Sequence, residues 1–569
     1  MTETVARRRP PWLWLLLPLA AALALRLQGL LDMGVGGNDT IYYYTLAEYW
    51  LRGDFGFSVG QGVVVFRPVL LGMNALALLL FGHTDYAIKL GNVLLDGLNL
   101  LLLALLAWRL SRRAVVVLAA SAVYALLPVA VWSARQELPH TASTFYVLLC
   151  LLLLVAGLAR RGAAWPRLAL SGLCLAAATL THEELVLLAP VLALYVLLAA
   201  RRAGLGAATG LRWLLAFLGL PAAAALLALV IQWGEISPRL AAVFSAEGFY
   251  PEVVGRFLWD ALVGSMSTTA ALLYAASVLY TLLALRGGGA AALRPHLRAA
   301  QFCLLVPAAF VAVYALFFDT LFSRGFLPLL PLLLIGIFTC VDLAARRHAL
   351  VSTLACGVVA ALLVVANVAA YSAFNIADRR FARSWAQPAL PDAQSLARGY
   401  RAFLVDARYV PSYASHWGNV YRALRGSVDA SNRLLILPSV AIYSPGRRPL
   451  QTDVYFGDDA VYRVDHHELS LQEVVQRFNI RWVLFTTGQS RAEARRLRRY
   501  LYNGRWAPAG RVDLGAAYGM GSYSAQGEFK QLQAFLAERG AVPVTAFPPG
   551  SYDARNARLW RLPDASESP

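Results

Sequence analysis

The sequence predicts a polytopic α-helical membrane protein that carries a soluble α/β domain at its C-terminal end, and three observations predict it. Hydrophobic residues make up 59% of the 569 and charged residues only 15%, against roughly 45–50% and 25% in an ordinary soluble domain. Apolar runs long enough to cross a bilayer recur from the N-terminus to about residue 371 and then stop. Arginines gather in short clusters between those runs, as cytoplasmic loops of membrane proteins do. The formal charge of +18 therefore has a topological source, and nucleic-acid binding is discounted. All five cysteines lie inside apolar runs, which argues against a disulfide framework or a cysteine zinc site.

Candidate spans run near 11–30, 85–108, 114–133, 141–159, 166–181, 184–200, 212–232, 265–285, 299–317, 325–343 and 349–371, about eleven in all. The first is too long, and its exit too polar, for a cleaved signal peptide, so it reads as a retained anchor. With Arg7, Arg8 and Arg9 on the cytoplasmic side, the clusters at Arg109/Arg112/Arg113, Arg160/Arg161/Arg167, Arg201/Arg202/Arg212, Arg286/Arg294/Arg298 and Arg346/Arg347 all fall inside as well. The outer segments are then 31–84, short turns at 134–140, 181–184 and 318–324, a loop at 233–264, and everything after about 372.

The first outer loop, 31–84, holds an amphipathic pattern near 39–52 with Tyr43, Leu46 and Trp50 on one face, and a second apolar stretch, RPVLLGMNALALLLFG, opened by Arg67. Counting the second as a span would turn every later arginine cluster outward, so both are expected as helices along the membrane surface. Residues 1–372 thus form a membrane domain and 373–569 an outer soluble domain. In the latter, 434–440 and 482–488 read as buried strands and 471–480 and 529–540 as helices. Asp465-His466-His467-Glu468 has metal-ligand residue types, but adjacent histidines on an extended segment point apart, and a solvated loop is expected.

Under this topology the ionisable residues near span ends collect outside: Asp39, Arg135 to His140, His182-Glu183-Glu184, and Asp319 with Arg324. Such groups are costly at membrane depth and usually face a bundle interior or a wet cavity, so four clusters on one side suggest one cavity. Each has a plainer reading. Asp39, after Gly36-Gly37-Asn38, suits a helix N-cap. Tyr42, Tyr43 and Tyr44 suit interfacial anchors, and Glu137 with His140 suits a surface pair. His182-Glu183-Glu184 lacks the second histidine of a zincin. Asp96, in mid-span, is expected as a buried polar group facing the bundle.

In order and spacing, GGNDTIYYYTLAEYWLRGDF, RPVLLGMNALALLLFG, LAAATLTHEELVLLAPVLAL, SRGFLPLLPLLL and NIRWVLFTTG resemble segments of the polytopic GT-C glycosyltransferases, among them the lipid A aminoarabinose and protein O-mannosyl transferases. The likeness covers most of residues 1–345, with departures: Glu137 or His140 where a second acid is usual, Thr-His-Glu-Glu where Lys-Gly is common, and Gly325 where a tyrosine is common. The resemblance implies a multi-pass enzyme of a bacterial inner membrane, its C-terminal domain periplasmic or extracellular, transferring a sugar from a polyprenyl-phosphate donor to a lipid, glycan or protein acceptor. Asp39 would be the general base, Arg324 with His182 the phosphate-binding pair, and Tyr42 and Tyr43 the lining of the path. Glu183, Arg67, Glu137 and His140 would contact substrate. No cofactor is assigned. A divalent metal is left open, with Asp39, Glu137 and His140 as candidate ligands. The competing class, a lipid or sugar transporter or flippase, predicts charges along a path through the bilayer and paired half-repeats.

Overall fold

The computed structural model describes residues 12–28, 30–32, 38–56, 58–59, 63–64, 66–159, 164–231, 233, 267–286, 293–317, 323–346 and 348–376 of the helical part. Of the C-terminal part it describes 427–428, 432–437, 441–443, 450–456, 460–464, 467–486, 532–544 and 557–563.

Every predicted apolar run contains a helix. In chain order these are α1 (Leu16–Leu27), α4 (Ala87–Ser111), the pair α5 (Ala114–Leu126) and α6 (Pro128–Ala134), α7 (His140–Leu158), α8 (Trp165–Thr181), α9 (Leu188–Arg202) and α10 (Ala207–Ile231). They continue with α11 (Thr268–Arg286), α12 (Arg294–Phe317), α13 (Leu330–Ala344) and α14 (Ala349–Ile376). Among the described residues, 8 helices are long and apolar enough to cross a membrane, or 9 when the α5–α6 pair counts as one span. The described helices α1 and α8, at 12 and 17 residues, are shorter.

Residues 31–84 hold α2 (Asn38–Leu51) and α3 (Pro68–Phe81). At 14 residues α3 is roughly 21 Å long, short of the ~30 Å hydrocarbon layer. Both expected helices form, and α2 packs closely on the rest of the protein. Tyr43 and Leu46 pack with Leu70, Leu71, Val131, Trp132 and Leu138, while Tyr44 and Ala47 pack with Ala75, Leu78 and Ile88. Two faces of α2 are thereby covered by protein.

The third predicted span is not straight. Pro128 disfavours helical backbone at the residue before it, and Leu127 accordingly adopts φ −68, ψ 118 between α5 and α6. The two helices meet at 59°. All seven residues of α6 are buried, as are those of the turn from Arg135 to Pro139. The bend therefore drives a turn rich in charge into the protein instead of leaving it at the surface.

Small residues allow helices to approach closely where no hydrophobic force acts between them. At Gly172 of α8 an added Cβ would stand 2.2 Å from the carbonyl oxygen of Phe217 on α10.

The C-terminal part forms an eight-stranded mixed sheet. With a hairpin of two short strands between α2 and α3 counted as β1 (Ser58–Val59) and β2 (Val63–Val64), its strands are β3 (Arg433–Leu437), β4 (Ala441–Tyr443), β5 (Leu450–Phe456), β6 (Ala460–Val464), β7 (His467–Ser470), β8 (Ile480–Thr486), β9 (Val542–Val544) and β10 (Ala557–Arg561). Their order is β7-β6-β5-β4-β3-β8-β10-β9. The two strands expected from continuous apolar runs, β3 and β8, pair in parallel in its interior, as runs buried on both faces should. Leu435, Leu437, Val483 and Phe485 pack with Val474, Leu532 and Leu536 of the two expected helices. The first of these helices (Leu471–Arg477) starts at a capping box made by Ser470 and Glu473. It ends sooner than expected, because Asn479 turns to φ 48 and β8 already begins at Ile480. The expected loop at 465–468 is also corrected in part: His467 and Glu468 begin β7, paired with β6, while residues 465 and 466 lie outside the described set.

Gly172→Ala should destabilise the detergent-purified protein by about 1–3 kcal/mol, the usual cost of forcing a methylene into packed space. Gly219→Ala on α10, which meets nothing within 4 Å, should not, and thermal unfolding of the two variants compares them directly.

Candidate functional site

One end of the bundle gathers the polar groups. Helix α2 begins one residue before Asp39, so Asp39 stands in the first turn and not in the cap position before it. An acid there is favoured by the positive end of the helix dipole. Tyr43 follows Asp39 by four residues, one turn along the same face. The Asp39 side chain is outside the described set, as are those of Asp319 and Arg324. The backbone of Arg324 lies in a 3-10 segment, Ser323–Leu329, which packs against α6 and α7 and so shares this end of the bundle.

Arg67, at the entrance of α3, is the best-defined cation here. Its Nε and Nη2 donate to Glu183 Oε2 and Oε1 at 2.8 and 2.7 Å, a bidentate fork of the strong kind. Nη1 donates to the Tyr43 hydroxyl, and the guanidinium lies 5.4 Å from the centre of the Tyr43 ring. Burial works against the charge on Arg67, but Glu183 and Tyr43 outweigh it and hold its pKa above the ordinary value. Residues 116 apart in sequence are thereby tied across three elements: α2, α3 and the turn after α8.

His140 opens α7 and His182 closes α8, and their rings lie 5.2 Å apart. His182 Nδ1 stands 3.7 Å from Glu184 Oε2. Glu137, expected beside His140, instead pairs with Lys89 of α4, Nζ to Oε1 at 2.8 Å with both side chains 1% exposed. Burial raises the Glu137 carboxyl above its ordinary value, and Lys89 holds back part of the rise. Asn92, one turn along α4 from Lys89, donates to the Gln136 carbonyl at 2.7 Å. Tyr44 lies close to this pair, its phenol kept protonated by burial and then by the carboxylates of Glu48, Asp85 and Glu137. Glu48 also meets His83, Oε1 to Nδ1 at 2.6 Å. Tyr42 is half-buried against the cluster around Tyr43 and Leu70.

Below these groups Asp96 is the buried polar residue expected. Arg26 Nε reaches its Oδ2 at 2.5 Å, and Tyr124 and Asn99 donate to its Oδ1 at 2.7 and 3.2 Å. Arg26 also donates to the carbonyls of Ala22 and Ala125, and Asn99 to that of Thr141. At the opposite end of the bundle Arg113 holds Asp342 in a second bidentate pair, which Ser352 joins.

Sequence reasoning missed the partners more than the residues. Arg26 and Asp96, opposite charges inside apolar runs, carried the signal for a buried pair. Glu183 carried none for Arg67, because their meeting depends on how α3 and α8 cross. Among the described residues no three His, Cys, Asp or Glu side chains converge as metal ligands.

No family model and no curated protein matches the sequence. Solved structures resemble the fold. An archaeal oligosaccharyltransferase from Archaeoglobus fulgidus, in complex with an inhibitory peptide and a dolichol-phosphate, is similar at 11% identity and TM-score 0.42, over 97% of this chain and 88% of that one. The same protein with zinc and sulfate is similar at 13% identity and TM-score 0.42, over 96% and 88%. ArnT from Cupriavidus metallidurans bound to undecaprenyl phosphate is similar at 15% and 0.42, over 73% and 79%. Likenesses at these values carry no functional conclusion.

Removing one member of a buried ion pair strands a charge and typically costs about 3–5 kcal/mol, while replacing both with apolar groups is often neutral. Lys89→Met should therefore lower thermal stability in detergent sharply, and Lys89→Met with Glu137→Leu should recover most of the loss. A double variant as unstable as the single would give Glu137 a role other than partner to Lys89.

Proposed function

We propose that the chain is a membrane glycosyltransferase of the GT-C type, moving a sugar from a polyprenyl-phosphate donor to an acceptor hydroxyl at the outer face of a bacterial inner membrane. The observation that carries this reading is the meeting of Tyr43, Arg67, Glu183, His140 and His182 at one end of an apolar bundle, one helical turn from Asp39. The motifs in the first outer loop and after α8 support it, as does their order along the chain.

In this reaction an acceptor hydroxyl attacks the anomeric carbon while the bond from that carbon to the phosphate oxygen breaks, with inversion. Asp39 takes the hydroxyl proton, as a carboxylate within hydrogen-bond reach can. The departing polyprenyl phosphate gains negative charge, which fixed cations in a poorly hydrated site stabilise. Arg324 and His182 are the proposed phosphate ligands. Arg67 assists, because three of its N–H groups are held by Glu183 and Tyr43 and two of a guanidinium's five remain. Tyr42 and Tyr43 line the path of sugar and lipid, and Glu137 and His140 orient the acceptor side.

Residues 1–372 form the catalytic membrane domain in this proposal, with the N-terminus cytoplasmic and residues 373–569 outside. The arginine clusters support that orientation.

The Asn variant of Asp39 tests the assignment. Loss of a general base typically costs about 10²–10⁴ in rate, whereas loss of an acid's favourable interaction with the helix dipole costs only about 0.3–1 kcal/mol of stability. Folded Asp39→Asn protein should therefore bind donor yet fail to restore the surface glycan missing from a deletion strain, read by mass spectrometry of lipid-linked sugars and envelope glycans. Full restoration would remove Asp39 from the chemistry.

A further inference from the structure

Two of the buried cations of the bundle meet carboxylates. Arg26 is matched by Asp96 and Lys89 by Glu137. Arg135, in the turn that α6 drives into the protein, is 2% exposed, and no carboxylate meets it among the described residues. Its Nη2 donates to the Gln28 carbonyl at 2.7 Å. Its Nε has no partner, and neither has Arg26 Nη2. Burial and then the Arg26 charge lower its pKa only to about 10, so it remains a cation at neutral pH.

Local dipoles do not offset that charge. Gln28 caps the C-terminal end of α1 and contributes part of a negative charge to Arg135. The same turn leads into the N-terminus of α7, which has no side-chain cap, and the positive end of that helix adds to the cation's field. An isolated buried cation costs far more than one hydrogen bond to a carbonyl returns.

We propose that Arg135, with the free donor of Arg26, holds a resident small monovalent anion of the halide class between the end of α1 and the turn before α7. One negative charge balances a cation that no carboxylate meets among the described residues. Both orphaned groups are N–H donors, which suits an acceptor-only ligand. Exposures of 0% and 2% at the two arginines suit an ion enclosed by the protein over a headgroup that must enter and leave with its lipid. The site is separate from the proposed transfer reaction, since neither arginine is a member of that machinery.

The test is thermal unfolding of the full-length protein in detergent, in sodium gluconate against increasing sodium chloride or bromide at constant ionic strength. The expected result is a saturable rise in Tm, on the order of 5 °C when the anion greatly exceeds its dissociation constant. Arg135→Gln should lose that rise and be no less stable than the parent in gluconate, because the variant no longer buries a charge. Bromide should give a single anomalous peak beside Arg135 in the unaltered protein, which decides the matter even where the variant does not fold. A parent protein indifferent to halide, the same halide response in Arg135→Gln, or an Arg135-dependent rise produced only by a short-chain polyprenyl phosphate would each overturn the proposal.

Discussion

The ion pair between Arg26 and Asp96 is the interaction on which the rest of the bundle depends. It sits where no water can solvate either charge, so the two must find each other and further polar groups must gather around them. Tyr124 and Asn99 satisfy the carboxylate, and Ala22 and Ala125 accept from the guanidinium. Asn99 in turn reaches the Thr141 carbonyl. One carboxylate thereby ties α1, α4, α5 and α7 together, and α7 opens at His140 of the candidate site. A single geometry satisfies all of these contacts, so the pair fixes rotation as well as proximity.

The bend at Leu127–Pro128 acts on the same region by a different means. A straight span would have carried Arg135, Gln136 and Glu137 to the bundle's surface, where water would have solvated them. Turning the last two helical turns through 59° buries them, and burial creates the demand for Lys89 and Asn92 as partners. The polar end of the protein is thus a consequence of one imino ring as much as of the charges it brings inward.

The site itself is organised by α2. Tyr43 turns toward Arg67 and Glu183, and Tyr44 toward Glu48, Asp85 and Glu137. Adjacent tyrosines on a helix diverge by about 100°, so two consecutive residues serve two polar clusters. Tyr43 and Tyr44 thus face separate environments joined by one helix.

What the sequence by itself determined is the set of helices, the end of the bundle at which the ionisable turns collect, the inward-facing role of Asp96 and two interior strands of the C-terminal sheet. These are local properties. The length of an apolar run, its punctuation by arginine and the continuity of a buried strand can be counted along the chain without knowing what lies beside it. The tertiary structure alone decided the partners. Glu137 stands three residues from His140 yet meets Lys89, Arg67 meets Glu183 at a separation of 116 residues, and Arg113 meets Asp342 at a separation of 229. Which side chains meet depends on how each helix is rotated, tilted and bent, and those angles are set by the sum of many weak packing contacts, which no short stretch of sequence contains.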